Sequence, residues 1–209
     1  MTFKQNWKKT DSQIQLPTKT IKEMLNMQNS QIETQRLILR PPRLGDEKPL
    51  NQAINRSLPE LQRWMPWAND PSMQPTIRYV NEGINSWGSD APRDFPMVII
   101  HKESQQIIGA SGFNDRSKPD VPLFEIGYWV ETAFTRQGLA TEMVQALTHF
   151  AFESFKAARV QIVTQVGNEA SQRVAEKCGF ILEATLKNYC VDSLSGKPAD
   201  DWIFVRFKE

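Results

Sequence analysis

Residues Thr135 to Thr141 read TRQGLAT, and they have the makings of an anion site. Arg136 supplies a full positive charge, and Gly138 lets a ligand approach the backbone closely. From Gly138 onward the apolar residues Leu139, Met143, Val144 and Leu147 recur at helical spacing. The first N–H groups of a helix have no intrahelical partner, and the helix dipole adds partial positive charge there. Phosphate or pyrophosphate is the ligand that suits such a turn. Alone, the stretch also reads as an ordinary helix start containing glycine. Three further residues can do chemistry. Glu125 lies in the apolar run FEIGYWV, either as a proton acceptor or as a charged strand residue in a structural pair. Asn168 suits a helix N-cap, and Ser171 falls in the first turn that follows it.

The elements that must hold these residues follow from patterning. Phe124 to Val130 is aromatic and apolar, a strand leading through a polar turn into a helix at Leu139 to Phe155. Arg159 to Val166 predicts another strand. Asn168 to Lys177 predicts a helix ended by Gly179, at the position where a left-handed residue stops helices. Upstream, QIETQRLILR from Gln31 to Arg40 predicts one strand, stopped by Pro41-Pro42. Asp46 is placed to cap a helix to about Asn55, and Gln74 to Trp87 predicts a second. Ser57 to Asp70, with Trp64 and Trp67 between prolines, predicts an irregular aromatic loop. Phe95 to His101 and Gln106 to Asn114 form a hairpin, with Val121 to Val130 as its third strand. Phe180 to Val191 and Asp201 to Phe207 close the chain, joined by a turn at Ser195 to Pro198. Residues 1–30 are polar, with a helix expected at Thr18 to Met27. They read as an extension before a single domain at 31–209.

Composition narrows the function. The chain has 209 residues, with 25 basic and 24 acidic, for a net charge of +1. That balance argues against a general nucleic-acid or membrane surface. The cysteines Cys178 and Cys190 show neither zinc-like spacing nor a disulfide framework. His101 and His149 lack metal spacing, so no metal is expected. No apolar run has membrane-spanning length, and no signal-peptide core is seen. A soluble cytoplasmic protein is expected.

The strand-turn-helix with RQGLAT, followed by NEASQRVAEKCGF, resembles the GNAT superfamily of acetyl-CoA-dependent N-acetyltransferases. The resemblance covers roughly Ile32 to Phe207. ETQRLILRPP, WMPW, EIGYWV and SQRVAEKCGF make it most similar to the Rim-type ribosomal-protein N-terminal acetyltransferases. In that superfamily the phosphate turn is Gln or Arg, two residues, Gly, one residue, then Gly or Ala; here Thr135 departs at its first position. The resemblance implies a mixed α/β fold. Its sheet would be seven-stranded and mostly antiparallel, with one splayed parallel pair and about four helices. It implies acetyl-CoA as cosubstrate. The backbone of Arg136, Gln137, Gly138, Leu139, Ala140 and Thr141 would hold the pyrophosphate. The backbone of Tyr128, Trp129 and Val130 would pair with the pantetheine arm as an added strand does, and Asn168 would hydrogen-bond that arm. Ser171 would protonate the leaving thiolate, and Glu125 would serve as base, directly or through water. A backbone N–H near Val130 would stabilise the oxyanion. Two mechanisms seen in relatives do not carry over, because Val163 and Ala175 stand where those relatives place a glutamate and a tyrosine.

Trp64 and Trp67 either belong to the core or wall the acceptor site. Tyr189 and Asp192 are substrate candidates near the chain's end, and Cys178 reads as a buried thiol. The expected reaction is direct acetyl transfer to a primary amine in a ternary complex. A protein N-terminus of ribosomal-protein type is the favoured acceptor. Polyamines or aminoglycosides remain open, as does a CoA-binding module without turnover. The chain is expected as a monomer or homodimer.

Overall fold

The computed structural model describes residues 31–89, 94–118 and 120–208. The helix expected at Thr18 to Met27, with the rest of residues 1–30, lies outside the described residues. The chain begins with β1 (Ile32–Glu33), β2 (Leu37–Arg40), α1 (Glu47–Arg56) and α2 (Leu58–Trp64). A 3₁₀ turn (Pro66–Asn69) leads to α3 (Met73–Trp87), β3 (Phe95–His101), β4 (Gln106–Phe113) and β5 (Leu123–Val130). A second 3₁₀ turn (Thr132–Phe134) precedes α4 (Leu139–Glu153), β6 (Arg159–Gln165), α5 (Glu169–Lys177), β7 (Ile181–Val191) and β8 (Pro198–Phe207).

The strands form one eight-stranded sheet in the order β1-β2-β3-β4-β5-β6-β8-β7. Every neighbouring pair is antiparallel except β5 and β6. The α/β class and the parallel pair are as expected, but among the described residues there are eight strands rather than seven, and five α-helices rather than about four. The extra strand comes from the start. Thr34 closes a turn twice, donating its N–H to the Leu37 carbonyl and accepting the Leu37 N–H on Oγ1. The single strand expected at Gln31 to Arg40 is thereby folded into a hairpin.

Ser57 to Asp70 is the larger correction, since it is helical. Pro59 and Pro66 sit in the first turns of α2 and of the 3₁₀ turn. Proline is tolerated there because those N–H groups have no helical partner anyway. The prolines therefore start helices rather than break a loop. Asp46 precedes α1, yet its side chain makes no capping bond to the helix. Its carboxylate instead takes Arg40 at 2.7 and 2.8 Å and the Arg43 N–H at 2.7 Å.

The sheet carries a core on each face. On one, Leu139 and Met143 of α4 pack with Phe124, Ile126, Val160 and Ile162 of the sheet. On the other, Leu50, Leu61 and Val80 of α1, α2 and α3 pack with Val98 and Ile107. Strand alternation divides β5 between them. Tyr128 and Val130 pack toward the first core, and Trp129 toward the second.

Candidate active site

The parallel ladder between β5 and β6 is short. It pairs Leu123 with Arg159, Phe124 with Val160 and Glu125 with Gln161, and goes no further. Beyond Glu125 the strands part, so on this side the β5 backbone from Ile126 to Val130 is outside any ladder. This is the splay that the family resemblance implied. It opens toward the turn at Arg136.

That turn is built for an anion. Gly138 has φ +80°, a left-handed conformation that a side chain strains, and it opens α4 with no side-chain cap. Arg136 is left-handed as well, at φ +61°. The first helical bond runs from the Glu142 N–H to the Gly138 carbonyl at 3.0 Å. The N–H groups of Leu139, Ala140 and Thr141 come before it and have no place in the helical ladder. Arg36 was not anticipated here. Its Nη1 donates to the Gln137 carbonyl at 2.9 Å, and its Nε to Glu142 Oε2 at 2.7 Å. A Cβ on Gly138 would lie 3.6 Å from Arg36 Nη2. Arg36 thus adds a second cation beside the turn and ties it to β2. Burial works against the Glu142 charge. Hydrogen bonds from Thr34 and Arg36 outweigh it and hold the carboxyl below its usual range.

Across the split from the turn, Asn168 caps α5 by accepting the Ser171 N–H at 3.2 Å. The Ser171 hydroxyl lies 3.0 Å from the Tyr128 hydroxyl. Burial pushes the Tyr128 phenol up to about 12 against the opposing Ser171 bond, so it is neutral at physiological pH. Tyr128 was expected to act through its backbone; its side chain joins the two edges of the split. Burial also pushes the Cys178 thiol up to about 11, and its Sγ lies 3.5 Å from the Thr141 carbonyl.

The opposite face of the sheet holds the carboxylates. Glu125 is 3% exposed. Asn114 donates to its Oε1 at 2.8 Å, Gln161 to its Oε2 at 2.7 Å, and Arg116 approaches at 3.4 Å. These bonds tie β4, β5 and β6 together where the strands diverge. Further along this face is a pocket of about 200 Å³ whose lining includes Trp64, Arg116, Val163, Gln165, Cys190 and Asp201. Trp64 is therefore a wall of the pocket, with the Arg63 guanidinium 4.0 Å above its ring. Trp67 instead packs against Trp129 at 6.2 Å and is 45% exposed. Asp192 accepts from the Ser195 N–H at 2.8 Å, Gln165 at 2.7 Å and Arg63 at 2.8 Å, and these bonds hold its carboxyl well below the usual range. It anchors the β7–β8 turn to α2 beside the pocket. Tyr189 is 56% exposed and is not among the lining residues. Ser171 and Glu125 thus lie on opposite faces of the sheet. Among the described residues no cluster of His, Cys, Asp and Glu is arranged to hold a metal ion, and no helix is long and apolar enough to cross a membrane.

Comparison with known proteins follows the same lines. Residues 36–181 match the model of the acetyltransferase (GNAT) domain. The chain is 33% identical over 143 residues to the ribosomal-protein-serine acetyltransferase of Escherichia coli, covering 67% of this chain and 76% of that one. It is 25% identical to the uncharacterized N-acetyltransferase YoaA of Bacillus subtilis, over 83% of this chain and 94% of that protein. Among solved structures, RimL, the ribosomal L7/L12 α-N-protein acetyltransferase in complex with coenzyme A, superposes with a TM-score of 0.76. It is 26% identical, over 85% of this chain and 97% of that one. The microcin C7 self-immunity acetyltransferase MccE, in complex with acetyl-CoA and AMP, shares the fold. Its TM-score is 0.75 at 21% identity, over 84% of this chain and 94% of that one.

Proposed function

The chain belongs to the GNAT acetyltransferase family, an acetyl-CoA-dependent N-acetyltransferase, and on that premise we propose that its acceptor is a protein N-terminal α-amine. The observation that carries this reading is the size of the pocket on the face away from α4, about 200 Å³. Sites for drug-sized molecules run to roughly 300–1,000 Å³, so an aminoglycoside is poorly matched. An amino terminus with a small first side chain fits, with the rest of its chain outside. The likeness to ribosomal-protein acetyltransferases supports the same choice. Residues 31–209 are taken as the transferase unit, working in the cytoplasm, where acetyl-CoA and such acceptors meet.

The residues divide the work. The N–H groups from Arg136 to Thr141 hold the pyrophosphate, with Arg136 and Arg36 supplying charge. The free edge of Tyr128 to Val130 pairs with the pantetheine amides, and an N–H near Val130 faces the developing oxyanion. The Asn168 side chain holds Ser171 in place. Ser171 gives its proton to the sulfur as the amine displaces it and is reprotonated, through water, by the proton that the attacking nitrogen sheds; the neutral Tyr128 phenol orients that hydroxyl. An α-ammonium has a pKa near ~8, so an appreciable fraction is free base at neutral pH and its proton can leave to water. We therefore assign Glu125 to the seam: it fixes where β5 and β6 part, and its oxygens are already taken up by Asn114, Arg116 and Gln161.

The test is an acceptor panel with acetyl-CoA, read by free thiol and mass spectrometry. It would contain tetrapeptides beginning with Ser, Ala and Met, together with spermidine and kanamycin. Acetylation of the small-residue peptides at the α-nitrogen is expected. Turnover confined to spermidine or kanamycin would overturn the acceptor, and CoA binding without any thiol release would overturn the enzyme reading.

A further inference from the structure

We infer that Asp201 is the carboxylate that receives the acceptor's positive charge. The inference rests on the acetyltransferase reading and adds to it the group that recognises the substrate. Position is the first argument. The β5–β6 register, carried forward past the split, sets Trp129 level with Gln165, and Gln165 is the β8 partner of Asp201. Asp201 therefore stands at the level of Trp129, the residue after Tyr128, two strands across the split and on the face opposite the Tyr128–Ser171 contact. It projects with Val163 and Gln165 into the pocket on the other face. Glu125 is level with Gln161, four residues deeper on β6, or about 13 Å at a strand's rise per residue.

Charge is the second argument. Asp201 is 6% exposed, the Cys190 thiol adjoins it, and among the described residues it forms no ion pair. Its acidic neighbours are matched otherwise: Asp192 by Arg63 and Asp200 by Lys187. Arg116, at the pocket's edge, leans on Glu125. Burial pushes the Cys190 thiol up to about 12, with Asp201 adding to it, so the thiol stays protonated; its Sγ lies 3.6 Å from the Ala199 carbonyl. A buried carboxylate without a paired cation is costly until one arrives. An incoming ammonium is that cation, and Trp64 and Val163 leave room beside it for a small apolar group. The pairing has a kinetic signature. A neighbouring carboxylate favours the charged amine, so it strengthens binding and raises the pH at which the bound amine becomes nucleophilic. Asp201→Asn should raise the acceptor KM at pH 7 about tenfold. It should also move the rise of kcat with pH to lower pH.

The binding test uses two non-reacting probes, titrated calorimetrically into CoA-saturated protein. One is a seryl tetrapeptide with a dimethylated α-nitrogen, which keeps the charge. The other is the same peptide without the α-amino group. Wild type is expected to bind the cationic probe at least tenfold more tightly. Asp201→Asn should bind both alike, Asp201→Glu should retain a preference, and CoA affinity should be equal in all three. A wild type without preference, or an Asp201→Asn protein that keeps it, overturns the inference. Failure of wild type to bind CoA would instead remove the acetyltransferase reading, and this inference with it.

Discussion

The two sides of the split are built in different ways. On the side facing α4 and α5, the anion turn comes from one run of consecutive residues. Its shape is set by the backbone, through Gly138 at φ +80° and the helix start after it. On the side facing α1 to α3, the pocket draws single side chains from far apart in the chain: Trp64, Arg116, Val163, Gln165, Cys190 and Asp201. On the proposed reading the first side recognises a constant group, a pyrophosphate, for which backbone N–H groups suffice. The second must tell one amine from another, which needs side chains whose identity can vary without moving the sheet. The difference predicts that substitutions on the two sides separate cleanly, one set acting on acetyl-CoA and the other on the acceptor.

The sharpest attempt to break that separation is Gly138→Glu. Any side chain strains the left-handed backbone there, and a carboxylate would sit where the pyrophosphate must approach. CoA protection against thermal unfolding should vanish, and the KM for acetyl-CoA should rise by roughly 10²-fold or more. The dimethylated seryl peptide should still bind, measured without CoA. Undiminished CoA protection would move the cofactor site away from this turn.

Ser171→Ala should have the next largest effect. It removes the proposed proton donor while leaving the Asn168 cap, which uses the Ser171 backbone N–H. A loss in kcat of about 10²-fold is expected, the usual scale for general acid catalysis, with the KM for acetyl-CoA changed little. Tyr128→Phe should cost less, about tenfold. Adding it to Ser171→Ala should cost almost nothing more, because both act through one hydroxyl. Additive losses would mean that the 3.0 Å contact between the hydroxyls has no part in turnover.

The same contrast explains what could be read from the chain alone. The turn, its helix and the Asn168 cap were legible because each is a local pattern, with glycine, charge and apolar spacing side by side in sequence. Arg36 was hidden in the run read as a strand, and only the hairpin at Thr34 swings it against Gln137, about a hundred residues on. Asp201 was hidden because an acid in a strand looks solvent-facing until the register of β6 and β8 is known. The stretch Ser57 to Asp70 misled through its prolines, which in a single sequence mark helix starts and loops alike. Tyr128 was legible as a strand residue. Its hydroxyl acquires meaning only when α5 arrives from more than forty residues downstream.

Glu125 is where the comparison is most exposed, and the expected effect on turnover is the smallest. It lies on the acceptor face, but at the last paired rung before the strands separate. If it belongs to the seam, Glu125→Gln should chiefly cost stability. The amide loses the charge beside Arg116, and its own NH₂ is set against the donors of Asn114 or Gln161. Leaving such a buried group poorly paired costs about 1–3 kcal/mol. For a chain of this length that lowers Tm by roughly 2–12 °C. Turnover at pH 7 should fall less than tenfold, because the amine reaches its free base by losing a proton to water. The rise of kcat with pH should keep its midpoint, since Asp201 and not Glu125 adjoins the ammonium. The opposite pattern would be a Tm unchanged and kcat down about 10²-fold at pH 7, with recovery as the pH rises and the amine deprotonates unaided. That result would make Glu125 the proton acceptor. The chemistry of the acceptor side would then reach down to the seam, and the division between a backbone-built cofactor side and a side-chain-built recognition side would no longer describe the site.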